Sequence, residues 1–277
     1  MLIIIKGAGD LASGIALRLK HAGFDIAMTE LAQPLAVRRT VSFSQAVYDG
    51  SIQVEDVSAV LAQNDLQMAE AFARNEIAVF VDPYARLVSR LRESSSPPAA
   101  LIDAIMAKRN TGTAIDDAPA VIGIGPGFTA CFDCHAVIET KRGHTLGRVI
   151  TAGSAQPDTG VPGEIAGFSS ERLLRCAVDG IFTGLICIGS TVKKGDIVAL
   201  VRRITENEQS PESDVPIYAR IDGIVRGLLP SGIRVTQGMK AGDIDPRCEK
   251  SHCFTVSDKS LAVGGGALEA LLRFCNK

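Results

Sequence analysis

Tryptophan is absent from this chain of 277 residues, and the other aromatic side chains number only 10 Phe and 3 Tyr. Proteins that hold single-stranded nucleic acid stack its bases on aromatic side chains, so this scarcity argues against such a partner. Charge is also nearly balanced, because 29 Lys and Arg face 31 Asp and Glu for a formal net charge of −2. A chain without a basic surplus has no general attraction for nucleic acid or for an anionic membrane surface. We therefore expect neither as a partner.

Long apolar runs are missing as well, and none approaches the length of a membrane span. The first apolar run, Leu2 to Ile5, is short and is followed at once by glycines, which is not how a signal peptide reads. We therefore expect a cytoplasmic protein. Its 7 cysteines are an odd number, and in a reducing compartment they act as thiols or ligands rather than as disulfides.

The opening stretch, MLIIIKGAGDLASG, has the pattern of a strand, a glycine turn and a helix. Leu2 to Ile5 reads as a strand buried on both faces of a parallel sheet. Gly7, Gly9 and Ala12 then fit the pattern G-x-G-x-x-[GA]. In that pattern the helix N-terminus offers free N–H groups and a partial positive charge to a phosphate.

A second predicted strand ends at Glu30, about 20 residues beyond the glycines, where an acidic group usually holds a ribose hydroxyl. Arg38 and Arg39 follow, and they could favour a ligand with an extra phosphate. The motif equally suits a structural βαβ unit without a ligand, and that alternative stays open. The candidate cofactor-binding residues of this part are Gly7, Gly9, Asp10, Ala12, Glu30, Arg38 and Arg39.

Further strand and helix patterns alternate up to about residue 106. Such alternation predicts an open parallel sheet, doubly wound by helices. We therefore predict a Rossmann-like nucleotide-binding domain over residues 1–155.

A second glycine turn follows a predicted strand in the segment AVIGIGPGFT, residues 120–129. A loop of this kind can present consecutive N–H groups to an anion. It can equally be a tight turn with no ligand. Arg142, on the loop beyond the next strand, would suit phosphate recognition through its planar fork. Gly125, Gly127 and Arg142 are therefore added to the candidate cofactor-binding residues.

The segment CFDCHAVIETKRGHTLGR combines cysteine, histidine and basic residues. Its Cys-x-x-Cys-His formally matches a c-type haem attachment motif, but that chemistry belongs outside the cytoplasm. Cys131, Cys134, His135 and His144 could supply four zinc ligands, yet their spacing is not that of a standard zinc knuckle, and we assign no metal.

Cys134 in the same segment is a candidate catalytic thiol. It lies beside His135 and close in sequence to Lys141 and Arg142, and nearby cations would lower its pKa and populate the thiolate. The alternative is an inert buried cysteine, which is common in proteins.

Residues 151–167 are rich in Gly, Pro, Ser and Thr and read as a link between domains. Beyond it the chain repeats itself: residues 177–182 align with 219–225, and both copies continue to Gly-x-x-Val-x-x-Gly. We predict a small β domain of two quasi-repeats over residues 168–247. Residues 248–277 should form a strand and a final helix that pack back on the first domain.

The repeat resembles the barrel-sandwich hybrid of biotinyl and lipoyl carrier domains. Those carriers offer a modified lysine in the hairpin after the first half. Here residues 200–204 read LVRRI, with Arg202 and Arg203 in that hairpin and no lysine. We therefore expect a barrel-sandwich-hybrid-like domain without carrier chemistry.

Six motifs along the whole chain resemble the accessory family of the selenium-dependent molybdenum hydroxylase system: GAGDLASG, PLAVRRTVSF, IGPGFTA, CHAVIETKRGHTLGR, DIDPR and SDKSLAVGGGALEALL. The resemblance implies an α/β fold with a Rossmann-like domain and a smaller β domain. It also implies a maturation factor for a molybdenum hydroxylase client enzyme. Such a factor would bind a nucleotide-bearing ligand, with the molybdenum cofactor or a nucleotide or dinucleotide suspected. Self-association is left open.

An NAD(P)-dependent oxidoreductase with a non-catalytic β domain is the alternative reading. It needs a catalytic proton donor, but no Tyr-x-x-x-Lys follows the dinucleotide region, and Tyr48, Tyr84 and Tyr218 lack such partners. The maturation factor therefore ranks first. The sequence specifies neither the ligand, nor the client enzyme, nor whether a reaction is catalysed.

Overall fold

The computed structural model describes residues 1–94, 96–160, 163–204 and 214–275. By its internal contacts the chain divides into two units. Unit 1 comprises Met1–Pro34, Val41–Thr159 and Val256–Lys277, and unit 2 comprises Leu35–Thr40 and Gly160–Thr255. The sequence-based domain bounds, 1–155, 168–247 and 248–277, stay predictions beside this division.

Unit 1 is built on one nine-stranded sheet in which strands follow the order β10-β9-β7-β6-β1-β2-β5-β4-β3. Its strands are β1 (Leu2–Lys6), β2 (Asp25–Glu30), β3 (Ser51–Val54), β4 (Val57–Leu61), β5 (Ile77–Val81), β6 (Ala100–Asp103), β7 (Ala120–Ile124), β8 (Thr129–Ala130), β9 (Ala136–Ile138), β10 (Val149–Ile150) and β11 (Gly153–Ser154), of which β8 and β11 form a separate pair. Its helices are α1 (Asp10–His21), α2 (Ala46–Asp49), α3 (Asp65–Ala73), α4 (Arg86–Arg92) and α5 (Asp258–Cys275).

The strand β1 shows why the sheet is covered on both faces. Alternate side chains of a strand point to opposite faces. Ile3 and Ile5 accordingly belong to the core that includes α1 and α5, whereas Ile4 belongs to the core that includes α3 and α4. All three isoleucines are fully buried.

The predicted Rossmann-like sheet is wrong in its strand order. A Rossmann domain places its first three parallel strands side by side in the order 3-2-1. Here β5 lies beside β2, while β3 and β4 form an antiparallel hairpin at the edge, and β10 is antiparallel at the other edge. The hairpin is hard to predict from the sequence because its turn contains Glu55 at φ 55°, a backbone conformation that a glycine would usually signal.

Unit 2 consists of two four-stranded antiparallel sheets, ordered β12-β19-β17-β14 and β16-β15-β13-β18. Its strands are β12 (Leu173–Arg175), β13 (Gly180–Gly184), β14 (Thr191–Val192), β15 (Ile197–Arg203), β16 (Asp214–Tyr218), β17 (Gly223–Leu228), β18 (Arg234–Val235) and β19 (Lys240–Asp245). Short 3-10 helices occur at Ser170–Arg172 and Lys250–Cys253. Side chains from both sheets of unit 2 form one apolar core, which includes Phe182, Val225 and Ile244.

The two sequence repeats make equivalent strand pairings in unit 2. Val192 of β14 pairs with Gly223 of β17, and Val235 of β18 pairs with Gly180 of β13. Each sheet therefore contains strands from both repeats. The predicted combination of a Rossmann-like domain with a barrel-sandwich-hybrid-like domain is nevertheless wrong, because unit 1 is a large mixed sheet and unit 2 is two separate antiparallel sheets.

The helix α5 begins earlier than its sequence pattern predicts. Three consecutive glycines, Gly264, Gly265 and Gly266, predict a helix start at Ala267, but they lie inside the helix. Ser257 precedes the helix as its N-cap, because Ser257 Oγ accepts a hydrogen bond of 3.1 Å from the Ser260 amide. Among the helices that the structure describes, none has the length and apolar character needed to cross a membrane.

Candidate functional site

The parallel strands of unit 1 bring their carboxyl ends to one edge of the sheet, where ligands of open α/β sheets usually bind. In the sheet, β1 lies between β2, which follows it in the chain, and β6, which comes later. The direction in which strands are added therefore reverses at β1. At this point Lys6 and Asp103 are buried and joined through Thr113. Lys6 Nζ donates to Thr113 Oγ1 at 2.7 Å, and Thr113 Oγ1 donates to Asp103 Oδ2 at 2.6 Å. This network fixes the strand ends next to the glycine turn.

The glycines of the first turn have different physical reasons to be there. Gly7 has φ +88°, and a Cβ on it would lie 3.1 Å from the Ala104 carbonyl oxygen. Gly9 has an ordinary φ of −69°, and a Cβ on it would meet nothing within 4 Å. Gly7 therefore serves the backbone conformation, whereas Gly9 faces open space.

Glu30 holds the first turn in place. Its carboxylate accepts hydrogen bonds from the amides of Ala8 at 2.9 Å and Leu31 at 2.8 Å. Burial raises the pKa of Glu30, and these two hydrogen bonds partly offset that rise. Ala12, the third small residue of the motif, is buried inside α1. The ribose-binding role predicted for Glu30 stays untested.

Lys259 lies in the first turn of α5 at this same edge, in a group of charges from three other segments of the chain. Burial lowers the pKa of its amine, and the positive charge of Arg142 lowers it further. The carboxylates of Asp10, Asp158 and Glu139 act in the opposite direction. We call these five residues, Asp10, Glu139, Arg142, Asp158 and Lys259, the Lys259 cluster.

Glu139 is the most buried acid of the Lys259 cluster, with 2% of its side chain exposed. It follows β9 directly, and its two oxygens accept hydrogen bonds from the amides of Lys141 at 2.8 Å and Gln156 at 2.9 Å. Asp10 opens α1, and its Oδ1 accepts a hydrogen bond of 3.1 Å from Ser260 Oγ. Both carboxylates are thus held in position by other segments of unit 1.

The outer members of the Lys259 cluster form ion pairs at the surface. Arg142 donates two hydrogen bonds to the carboxylate of Asp258, at 2.6 and 3.0 Å. Asp158 pairs with Lys108 at 2.6 Å. Exposed pairs of this kind are weak, so a charged ligand can compete with them at little cost.

Close packing of α5 on α1 positions Lys259 next to Asp10. A Cβ on Gly14 would lie 2.4 Å from Ser260 Cβ, and a Cβ on Gly264 would lie 2.8 Å from the Gly14 carbonyl oxygen. The two helices can approach this closely only because both contact points lack side chains. Gly264 is therefore a packing residue, and the three consecutive glycines lie inside α5 rather than in a turn before it.

The second glycine turn has steric reasons for its glycines. Gly125 has φ +77°, and its Cβ would lie 2.8 Å from Thr140 Oγ1. Gly127 has φ +109°, and its Cβ would lie 2.5 Å from the Arg109 amide nitrogen. Gly125 therefore packs against Thr140, the residue that follows Glu139 in sequence. Its predicted anion-binding role stays a prediction.

Arg38 and Arg39 belong to unit 2, where both guanidinium groups hold backbone carbonyls. Arg38 donates to His252 at 2.9 Å and to Thr255 at 3.0 Å, and Arg39 donates to Leu228 at 2.9 Å. These bonds give the two arginines a structural task that the sequence reading did not foresee. Recognition of an extra phosphate by them stays untested.

The low pKa expected for the Cys134 thiol is wrong. Cys134 is fully buried, and burial raises its pKa to about 11. The neighbouring charge that acts on it is Asp133, which raises the pKa further, rather than Lys141 or Arg142. Cys134 thus has the environment of an inert core cysteine.

The four residues considered as zinc ligands are not assembled into a site. His135 Nδ1 accepts a hydrogen bond of 3.0 Å from the Val121 amide, and the Cys131 thiol donates to the Thr151 carbonyl oxygen at 3.3 Å. Within residues 1–94, 96–160, 163–204 and 214–275, no three His, Cys, Asp or Glu are grouped so that they could hold a metal ion.

Comparison with known proteins gives one curated relative of high identity. No family model matches the chain. The Escherichia coli (strain K12) protein described as "Uncharacterized protein YqeB" is 48% identical over 271 residues, which cover 98% of this chain and 47% of that protein. The chain therefore spans about half the length of this relative.

Two of the solved structures to which the chain is similar are described as aspartoacylase or desuccinylase family proteins. An aspartoacylase family protein from Mesorhizobium loti has 13% identity and a TM-score of 0.30, with 88% of this chain and 84% of that chain covered. A succinylglutamate desuccinylase/aspartoacylase from Rhodobacter sphaeroides has 15% identity and a TM-score of 0.29 over the same shares. Likenesses this weak transfer neither a fold nor an activity to this chain.

These findings correct the functional expectations drawn from the sequence. The two structures named above are described as aspartoacylase or desuccinylase family proteins, the curated relative is described as uncharacterized, and none of these descriptions mentions molybdenum or selenium. Membership of the molybdenum hydroxylase accessory family is therefore wrong, as are the maturation role and the selenium connection. The predicted client enzyme and the alternative NAD(P)-dependent oxidoreductase are wrong for the same reason.

Sequence reasoning missed Lys259, Glu139 and Asp158. Glu139 carried a usable signal, because an acidic residue directly after a buried apolar strand lies at the carboxyl-end edge of a parallel sheet. Lys259 carried no such signal. The sequence pattern starts the final helix at Ala267, nine residues after its observed start at Asp258, and the partners of Lys259 are far away in sequence.

Proposed function

We propose that unit 1 is an enzyme of small-molecule metabolism in which Lys259 accepts a proton from the substrate. The observation that carries this proposal is the placement of one partly buried amine among Asp10, Glu139, Asp158 and Arg142 at the carboxyl-end edge of the sheet. General bases are most effective when their pKa lies near the working pH, and burial moves the pKa of Lys259 in that direction.

The charges around Lys259 suit a base that becomes charged during the reaction. When a substrate X–H bond breaks, the proton moves to the neutral amine and the bonding electrons stay on the substrate. Asp10 and Glu139 then stabilise the new ammonium group, because both carboxylates favour the charged form of Lys259. Glu139 is fixed by two amide hydrogen bonds, so this stabilisation requires no rearrangement.

Arg142 supports an anionic substrate. Its guanidinium is 43% exposed, it acts electrostatically on Lys259, and its fork holds only a surface carboxylate, that of Asp258. A carboxylate or phosphate of the substrate would fit the same fork in a bidentate manner. The developing negative charge on the substrate would also be stabilised by this cation.

The proposal is tested by metabolite profiling. The full chain is incubated with a small-molecule extract, and substrate and product are followed by mass spectrometry. We expect one metabolite to be consumed by the wild type and its turnover to fall by about a hundredfold or more in Lys259→Met. Lys259→Arg should not restore turnover, because the guanidinium stays protonated.

Lys194→Met, which removes an exposed lysine of unit 2, is the matched control and should turn over the metabolite at the wild-type rate. Arg142→Gln should raise KM more than it lowers kcat. Retention of full activity by Lys259→Met, or an extract left unchanged by the wild type, would overturn the proposal.

We also infer that the protein acts in the cytoplasm. All 7 cysteines are free in the structure, as they would be kept in a reducing compartment. Cell fractionation with an antibody to the chain tests this, and recovery outside the cytoplasmic fraction would contradict it.

A further inference from the structure

Unit 2 contains a buried group of charges on the sheet that includes β17 and β19. We call it the arginine cluster, and it consists of Arg172, Arg226, Asp243, Asp245 and Arg247. Within it Asp245 is fully compensated. Arg247 donates to its two oxygens at 2.9 and 2.6 Å, and Arg226 donates at 3.2 Å. Burial alone would raise the pKa of Asp245, but these hydrogen bonds hold it well below its usual range.

Asp243 is not compensated in the same way, although only 4% of it is exposed. The nearest cations are Arg172 at 3.8 Å, Lys240 at 3.9 Å and Arg226 at 4.0 Å. These separations exceed hydrogen-bond length. Across the described part of the chain, Asp243 Oδ1, Arg172 Nε and Arg226 Nε are among the few buried side-chain atoms without a hydrogen-bond partner.

The three unpartnered atoms define the chemistry of a ligand that would satisfy them. Two are guanidinium N–H donors, and the third is a carboxylate acceptor, so the ligand must accept from Arg172 and Arg226 and donate to Asp243. A buried guanidinium N–H group without an acceptor keeps the cost of its desolvation uncompensated. The group also has more cations than carboxylates, because Arg172, Arg226, Arg247 and Lys240 surround Asp243 and Asp245. An anion is therefore favoured over a neutral molecule.

We propose that the arginine cluster binds a hydrogen-bearing oxyanion, with hydrogen phosphate as the simplest example. Its unprotonated oxygens accept from Arg172 Nε and Arg226 Nε, and its O–H group donates to Asp243 Oδ1. No bond is made or broken in this binding step.

The surface around the arginine cluster supports a site here. A Cβ on Gly227 would lie 2.7 Å from Asp243 Oδ1 and 3.2 Å from Val37 Cγ2, so that side of the carboxylate is closed by β17 and Val37. Arg247 and Lys240 are 42% and 43% exposed, so the arginine cluster has a cationic side that reaches solvent. An anion can therefore be drawn toward the buried atoms.

The role of Asp243 predicts selectivity. Hydrogen phosphate keeps at least one O–H at neutral pH, whereas sulfate keeps none. Sulfate would face the Asp243 carboxylate without a proton to share, and the two negative charges would repel each other. Phosphate should therefore bind at least tenfold more tightly than sulfate.

The test is isothermal titration calorimetry of the full chain at pH 7 with inorganic phosphate and, separately, with sulfate. We expect wild-type binding of phosphate and at least tenfold weaker binding of sulfate. Asp243→Asn should reduce this ratio to about one, and Arg172→Met should weaken phosphate binding at least tenfold. Arg234→Met, an exposed arginine on the other sheet of unit 2, should bind as the wild type does.

The proposal would be overturned if the wild type bound the two anions with equal affinity. It would also be overturned if no phosphate binding were detected at about 10 mM phosphate. If a cluster variant does not fold, the wild-type comparison of phosphate with sulfate still decides the matter. Lys259→Met should leave the phosphate affinity unchanged, which separates this inference from the proposed activity of unit 1.

Discussion

Ser260 Oγ donates a hydrogen bond of 3.1 Å to Asp10 Oδ1, across a sequence separation of 250 residues. This bond joins the first turn of α5 to the first turn of α1. Lys259 directly precedes Ser260 in sequence. The hydrogen bond therefore also keeps the carboxylate of Asp10 close enough to act electrostatically on the Lys259 amine. The amine and the glycine turn therefore belong to one site, although they lie at opposite ends of the chain.

The first prediction concerns the ionisation of Lys259. Asp10→Asn removes a negative charge that favours the ammonium form, so the pKa of Lys259 should fall below its wild-type value. Arg142→Gln removes a positive charge, so the pKa should rise. The measurement is the pH dependence of amine acylation at Lys259, read by peptide mass spectrometry.

Glu70→Gln, an exposed residue of α3, is the matched control for these two variants and should leave the acylation midpoint of Lys259 unchanged. Shifts of the same sign in Asp10→Asn and Arg142→Gln would contradict the arrangement of charges described for the Lys259 cluster.

The second prediction separates the three consecutive glycines of α5. A Cβ on Gly264 or Gly266 would lie 2.8 or 2.1 Å from a backbone oxygen, that of Gly14 or Gly147, whereas a Cβ on Gly265 would meet nothing within 4 Å. Gly264→Ala and Gly266→Ala should therefore destabilise the protein by about 1–3 kcal/mol. Gly265→Ala should stabilise it by about 0.5–1 kcal/mol, because alanine is the better helix former. Urea denaturation gives the three values, and equal changes at all three positions would refute the packing argument.

The third prediction concerns Cys134. With its pKa raised to about 11, Cys134 has about a hundredfold less thiolate at pH 8 than an ordinary cysteine. Burial also blocks access to the sulfur. Alkylation by iodoacetamide in the native state should therefore be at least about a hundredfold slower at Cys134 than at the exposed Cys131. In urea the two rates should become similar; comparable native rates would restore Cys134 as a reactive thiol.

The sequence predicted local elements of this protein better than their assembly. The strand at Leu2 to Ile5 and the glycine turn after it could be read because buried strands and turns have short-range patterns. The equivalent pairings of Val192 and Val235 could be expected because the two repeats share one pattern. The order of the strands in the sheet could not be predicted, because it depends on pairing between segments far apart in sequence, and no local sequence pattern identifies which strands pair.

The candidate site shows the same division. Asp10 and Arg142 were singled out from their own motifs, and both belong to the Lys259 cluster. Lys259 itself was missed because glycines normally end a helix pattern, whereas here they lie in the middle of α5 at its close contacts. The predicted function was wrong because it rested on a resemblance between short motifs, and such motifs do not specify which side chains meet in the fold.

The last prediction concerns the pH dependence of stability that Asp245 gives to unit 2. The pKa of Asp245 is held low in the folded protein by Arg247 and Arg226, so its stabilising contribution is present above the unfolded pKa of about 3.9 and is lost as pH falls below it.

Asp245→Asn leaves both arginines without their counter-charge and should cost about 3 kcal/mol of folding free energy at pH 7. The cost should begin to shrink as pH falls through about 4 toward 3, because the unfolded wild-type chain then takes up a proton that the folded Asp245 carboxylate still refuses. Asp214→Asn, whose partner Arg202 lies 3.6 Å away at the surface, is the control and should cost no more than about 1 kcal/mol. Urea denaturation at pH 7, 5, 4 and 3 measures all of these values, and a cost for Asp245→Asn that stays constant over this range would show that the carboxylate does not stabilise the arginine cluster through its charge.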